Sequence, residues 1–140
     1  MVGAPCDQFG GQAPGSSEEE REAAIAKFGI QFPVLDKLDV NGSNTHPIYQ
    51  VLKRAQPVAQ PSSLGGGGGG RVGEVAWNYE KFLVSRDGVP LKRWKSAFDP
   101  MEFEGDVRLA LAGRPPLPAE CFAHPGRIVC NVDRLLEGAA

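Results

Sequence analysis

The sequence predicts an α/β layer fold, and three observations carry that expectation. Segments with helical stripes alternate along the chain with segments of period two. The helical segments open on readable caps and end at Gly or Pro. A β-rich stretch followed by Asp87-Gly88 and a second β-rich stretch reads as a hairpin. The length of 140 residues suits a single domain, and a hydrophobic fraction of 41% is compatible with a buried core.

The first helix is the best marked. Ser16 and Ser17 stand three residues before Glu19 and Glu20, the spacing of a capping box. Glu18, Glu19 and Glu20 place negative charge where the helix dipole favours it, and otherwise form a solvated face. Ala24, Ile25 and Phe28 share one side, and Gly29 suits a left-handed residue after the last turn. From residue 34 to 40 the period changes to two, with Val34, Leu38 and Val40 opposite Lys37 and Asp39. That segment is expected to be a half-buried strand ending at an Asn41-Gly42 turn. Thr45 is positioned to cap a second helix with Pro47 in its first turn. Ile48, Val51, Leu52 and Ala55 trace its core-facing stripe until Pro57 stops it.

Residues 56–73 contain the run from Gly65 to Gly70 and are expected to form a flexible loop. Residues 75–84 and 89–94 form the expected hairpin, with Trp77 and Asn78 at the start of its first strand. A third helix opens with Asp99 as cap and Pro100 at its first position. It presents Phe103, Val107 and Leu111 on one face and ends at Gly113 before Pro115-Pro116. Gly105 weakens that helix by about 1 kcal/mol relative to Ala. Residues 114–140 are expected to be a mostly irregular tail, which leaves 1–113 as the domain.

Composition excludes several functions. Lys and Arg number 15 against 17 Asp and Glu, so the net charge of −2 offers no basic face for nucleic acid or anionic membrane. No apolar run approaches the roughly 18 residues of a membrane helix, and no signal peptide is visible at the start. Cys6, Cys121 and Cys130 form no CxxC pair, and neither His46 nor His124 stands at a zinc-ligand spacing from them. Reduced, inert thiols and no metal or other cofactor are therefore expected. The glycine run formally contains G-x-G-x-x-G, but prolines precede it where the nucleotide fingerprint requires a strand. Asn41-Gly42-Ser43 matches a glycosylation sequon and reads better as a tight turn.

Two segments carry more information. PCDQFGGQAPG, residues 5–15, is a polar loop holding Cys6 and Gln12 immediately before a capped helix. AWNYEKFLV, residues 76–84, carries Trp77 and Asn78. Taken singly, Gln12 reads as a loop glutamine and Trp77 as a core aromatic. Together the segments resemble the glutathione peroxidase family of the thioredoxin-like superfamily. PCDQFGGQAPGS is similar to its FPCNQFGGQEPGS loop. FPVLDKLDVNGSNTHPIYQVLK is similar to its FP-hydrophobic-K-DVNG-P-Y-LK segment, and WNYEKFLVSRDGVPLKRW to its WNFEKFLV-DG hairpin. The resemblance covers residues 2–113.

The resemblance implies a thioredoxin-like sheet flanked by helices. It also implies an oxidoreductase of the oxidative-stress response that reduces hydrogen peroxide or organic and lipid hydroperoxides. Glutathione or thioredoxin is the implied thiol co-substrate. A cysteine or selenocysteine attacks the peroxide in that family, with a Gln, a Trp and an Asn around it, and these fall on Gln12, Trp77 and Asn78. Such neutral amide and indole donors suit the task, because each stabilises an anion without pairing to it permanently. A hydrogen bond to a charged group is worth about 1.5–3 kcal/mol, so two could bring a thiol from about 8.5 to below neutrality.

The chain departs from the family pattern at the nucleophile itself, which belongs to an N-V-A-S-[C/U]-G context absent from these residues. Cys6 matches a different, non-peroxidatic cysteine, and Ile25 stands where thiol-dependent plant-type members carry a resolving cysteine. The expectation is a reading frame begun late, after a selenocysteine codon read as a stop. The fold would then lack its first strands, and the chain alone would be inactive and prone to aggregate. A monomer is expected, located in the cytoplasm, or in an organelle if a transit peptide was lost. The alternative is a non-catalytic thioredoxin-like fragment that binds partners or signals through Cys6.

Overall fold

The structure, a computed structural model, describes residues 1–58, 73–118, 121 and 132–137. The expected flexible glycine run, His124 and Cys130 lie outside the described residues. The chain divides into two compact units, Met1–Val51 and Leu52–Ala140.

In the first unit the capping box forms as its spacing requires. α1 spans Ser17–Phe28, with Ser16 Oγ accepting from Glu19 N and the Glu19 carboxylate accepting from Ser16 N. That backbone hydrogen bond from Ser16, the largest cause, holds the Glu19 carboxyl below its ordinary pKa. Gly29 closes the helix at φ 60°, its N–H bonded to Ile25 O. The apolar side of α1 is not core, however: Ile25 is 48% and Phe28 62% exposed.

Residues 34–40 do not form the expected strand. A single parallel bridge joins Gly3 to Val34, and the remaining polar groups are satisfied piecemeal. Leu35 N bonds to Gly3 O, Leu38 N to Pro5 O and Lys37 N to Ser17 Oγ. Val40 N and Asn41 N both donate to Gln8 Oε1, while Gln8 Nε2 donates to Asn41 O. Period two was present in the side chains, but a ladder needs a neighbouring strand, and here a glutamine side chain takes its place. The Asn41-Gly42 turn forms, with Gly42 at φ 81°.

α2 spans Pro47–Ala55 across the sequence boundary between the units. Its cap is not Thr45, whose hydroxyl donates instead to Gly42 O. His46 takes that role, Nδ1 accepting from Ile48 N at 3.3 Å. Of the expected stripe only Leu52 is half-buried; Ile48, Val51 and Ala55 are exposed.

The second unit is built on the hairpin of β1 (Lys81–Val84) and β2 (Pro90–Trp94), antiparallel with a bulge at Leu83/Val84. β1 starts later than expected, so residues 77–79 form a bend rather than the head of a strand. Trp94 centres the core. Its ring stacks on Phe103 at 4.4 Å and lies 6.2 Å from Phe98. Asp99 caps as anticipated through Oδ1 to Met101 N. It opens a 3-10 turn, Pro100–Phe103, before α3, Glu104–Leu111. The buried residues of α3 are Asp106 and Leu109, while Leu111 of the expected face is 61% exposed.

Beyond residue 113 the described residues include one further helix. α4, Val132–Glu137, contacts α3 and adds the exposed Arg108–Asp133 ion pair at 2.7 Å. Cys121 is disulfide-bonded, against the expectation of reduced thiols, whereas Cys6 is free. The packing also reverses the expected effect of Gly105. A Cβ there would stand 2.8 Å from Val132 Cγ2 and 3.3 Å from Leu117 Cδ1. Gly105→Ala is therefore expected to destabilise, because overpacking costs about 1–3 kcal/mol and outweighs a propensity gain near 1 kcal/mol. A raised urea midpoint for the variant would contradict this.

Candidate functional site

The candidate residues fall into both units: Gln12 in the first, Trp77 and Asn78 in the second. Each group is held by a distinct local device.

In the first unit, Phe9 is the buried anchor of the loop that carries Gln12. Gly10 and Gly11 follow at φ 72° and 60°, a left-handed pair that a Cβ would strain, and they turn the chain so that Gln12 is exposed. The Gln12 side chain folds back over Gly10, where a Cβ would meet its Cγ and Nε2 at 3.7 Å. Asp7 Oδ1 accepts from Ala13 N at 2.9 Å and closes the loop. The Lys37 ammonium donates to the carbonyls of Ala13 and Gly15, fixing the loop against the start of α1. Cys6 Sγ is 3.5 Å from Gln8 Oε1, so the loop thiol sits on the glutamine that organises residues 40–41. An open hollow of about 260 Å³ is lined by Asp7, Lys37, Leu38 and Asp39. Gln12 is not among its lining residues.

In the second unit, Trp77 is 51% exposed and Tyr79 next to Asn78 adopts φ 62°, outside the usual range for an aromatic residue. The bend from 74 to 80 is held by Glu80 and Arg93. Glu80 Oε1 accepts from Ala76 N at 2.6 Å, and Oε2 accepts from Arg93 Nε at 2.8 Å. The guanidinium then reaches Glu74 O at 2.6 Å, Gln56 O at 3.1 Å and Pro57 O at 3.4 Å. Gly73 N donates to Pro57 O at 2.8 Å, so the start of the bend is tied through backbone as well to the segment that follows α2.

Sequence reasoning did not single out Gln8, Glu80 or Arg93. Gln8 and Glu80 lie inside the quoted segments, but nothing in their spacing distinguishes them from other polar loop residues. Within β2, Lys92, Arg93 and Trp94 are all buried. Both faces of β2 are covered at that end, which removes the signal of alternation. Among the described residues no group of three His, Cys, Asp or Glu side chains is placed to hold a metal ion. No helix among them is long and apolar enough to cross a membrane.

The glutathione peroxidase family profile matches residues 1–53. A probable glutathione peroxidase of Arabidopsis thaliana is 41% identical over 107 residues, covering 76% of this chain and 57% of the relative. The chain belongs to the glutathione peroxidase family. A chloroplastic phospholipid hydroperoxide glutathione peroxidase of Pisum sativum is 44% identical, over 77% of this chain and 41% of its own length. A hydroperoxy fatty acid reductase of Synechocystis is 38% identical, over 79% and 63% respectively. The chain thus spans about three-fifths or less of each of these curated relatives. The crystal structure of Trgpx in apo form aligns at TM-score 0.53 and 27% identity, covering 82% of this chain and 81% of that one. The fold class is α/β and thioredoxin-like, as the likeness to that structure supports.

Proposed function

We propose that the protein serves hydroperoxide reduction of the glutathione peroxidase type, with Gln12, Trp77 and Asn78 as hydrogen-bond donors to the peroxidatic thiolate or selenolate. The observation that carries the reading is the match at 38–44% identity to relatives named for reducing hydroperoxides. Those matches reach over three-quarters of this chain, beyond the 1–53 span of the profile.

The reaction balances with two thiols. The thiolate or selenolate attacks one peroxide oxygen, the O–O bond breaks, and the alkoxide leaves as alcohol after taking a proton. A sulfenic or selenenic acid remains, and two equivalents of thiol return it to the starting state with release of water and a disulfide. The donors act on both charges: they favour the anionic nucleophile and stabilise the departing oxygen. Glutathione or thioredoxin supplies the thiols. The protein acts as a monomer in the cytoplasm, or in an organelle as the chloroplastic relative does.

None of Cys6, Cys121 and Cys130 stands in the nucleophile context of the resemblance. The deciding test is therefore made on the product of the coding sequence read in frame through the codons upstream of Met1. Those codons are expected to carry a cysteine, or a TGA read as selenocysteine, in an N-V-A-S-like context. That product is expected to consume hydroperoxide with a thiol donor. Untranslated sequence without such a codon, or no turnover with either donor, overturns the reading and leaves binding or thiol signalling through Cys6.

A further inference from the structure

We infer that Arg93 and Glu80 are the positioning residues of the site: one buried ion pair fixes the bend from which Trp77 and Asn78 project. This rests on the reading of Trp77 and Asn78 given above. The two side chains are 2% and 3% exposed and 2.8 Å apart. Every guanidinium nitrogen is engaged, to Glu80, Glu74 O, Gln56 O and Pro57 O. The carboxylate divides its two oxygens, one to Arg93 and one to Ala76 N.

The consequence is geometric. Glu74, Ala76 and Glu80 are tied to one planar group on β2, and the residues between these ties are Trp77, Asn78 and Tyr79. The Tyr79 backbone at φ 62° is unfavourable for an aromatic residue, and a conformation of that kind persists where its surroundings over-determine it. The same guanidinium lies 5.1 Å from the Phe82 ring, its cross-strand partner, which references the bend to the hairpin rather than to solvent-exposed loop. A lysine would offer a point charge and three donors, with no fork to span carboxylate and carbonyls together.

The test uses the full chain labelled with 5-fluorotryptophan, whose two fluorine resonances report Trp77 and Trp94 separately. Glu80→Gln keeps the shape of the carboxylate and removes its charge. It is expected to shift or broaden the Trp77 resonance while leaving Trp94 in place. Amide exchange over 74–80 should rise at least tenfold with the β1–β2 ladder unchanged. Arg93→Lys is expected to retain more of this order than Arg93→Met. In the hydroperoxide-consuming protein, Glu80→Gln is expected to lower turnover tenfold or more without loss of the folded hairpin. An unmoved Trp77 resonance with unchanged exchange overturns the inference. So does joint movement of both resonances in Glu80→Gln, which marks a general stability role. If the unsubstituted protein turns over no hydroperoxide, the functional reading fails, while the fluorine and exchange data still decide the positioning.

Discussion

Replacing Asp106 by alanine is expected to lower the free energy of unfolding by about 3–5 kcal/mol, because it leaves a buried ammonium without its counter-charge. Asp106 is fully buried and the Lys92 side chain is 8% exposed, with Nζ 2.9 Å from Oδ1. Oδ1 also accepts from Leu117 N at 2.7 Å, and Lys92 Nζ donates to Leu117 O at 2.7 Å. One pair thus joins β2, α3 and the segment after α3. The attraction is not net profit: Asp106 Oδ2 has no hydrogen-bond partner among the described residues, and both charges have been taken out of water. Asp106→Leu combined with Lys92→Met is accordingly expected to recover most of the loss.

The pH dependence adds a second check. Burial lowers the Lys92 pKa from its ordinary value, and the hydrogen bond and charge of Asp106 only partly oppose this. The unfolded chain therefore binds more protons than the folded one between the lowered and the ordinary lysine values, so this group makes stability rise with pH in that window. Asp106→Ala removes the opposing contributions and is expected to widen the window downward. Urea midpoints from neutral pH to about 10 measure both effects; an unchanged midpoint for Asp106→Ala at neutral pH would sink the argument.

Locality separates what the sequence revealed from what it concealed. α1 was legible at both ends, to within one residue at its start, because Ser16, Glu19 and Gly29 act within one turn of the helix terminus. Asp99 and the Asn41-Gly42 turn were legible for the same reason. The segment 34–40 was misread because its alternation is a property of the chain, whereas a ladder is a property of two chains side by side. Trp77 and Asn78 were singled out through the resemblance, but their bend was not foreseen, since Tyr79 carries no sign of a positive φ and Arg93, which ties the bend to Glu80, comes from β2. Asp106 carried no signal of its own in the sequence, because the lysine that matches it in the buried pair stands fourteen residues away. The cap of α2 shows the limit within locality itself: Thr45 has the better propensity, but its hydroxyl is drawn to Gly42 O and His46 caps instead.

Trp77→Phe and Gln12→Ala, made separately in the hydroperoxide-consuming protein, are expected to reduce kcat/KM by about ten- to a hundredfold each. The size follows from the bond that each removes. A hydrogen bond to a charged group is worth about 1.5–3 kcal/mol, and about 1.4 kcal/mol is a decade in rate. Phenylalanine keeps an aromatic six-membered ring and lacks the pyrrole half of the indole with its N–H, and because Trp77 is half exposed the packing lost with it is small beside the donor. Trp77 is 51% exposed and Gln12 is exposed, and truncating such residues is expected to move stability by less than about 1 kcal/mol. Loss of turnover without loss of fold is thus expected of a donor to the reacting atoms, as it is of a group that positions one. The pH profile distinguishes its target. A donor to the nucleophile holds that group's pKa down, so its removal should shift the acidic limb of the rate profile upward by about 1–2 units. A donor that serves only the departing oxygen would lower the plateau and leave the limb in place. Turnover within twofold of the unsubstituted protein in both variants, with the limb unmoved, would remove these side chains from the chemistry.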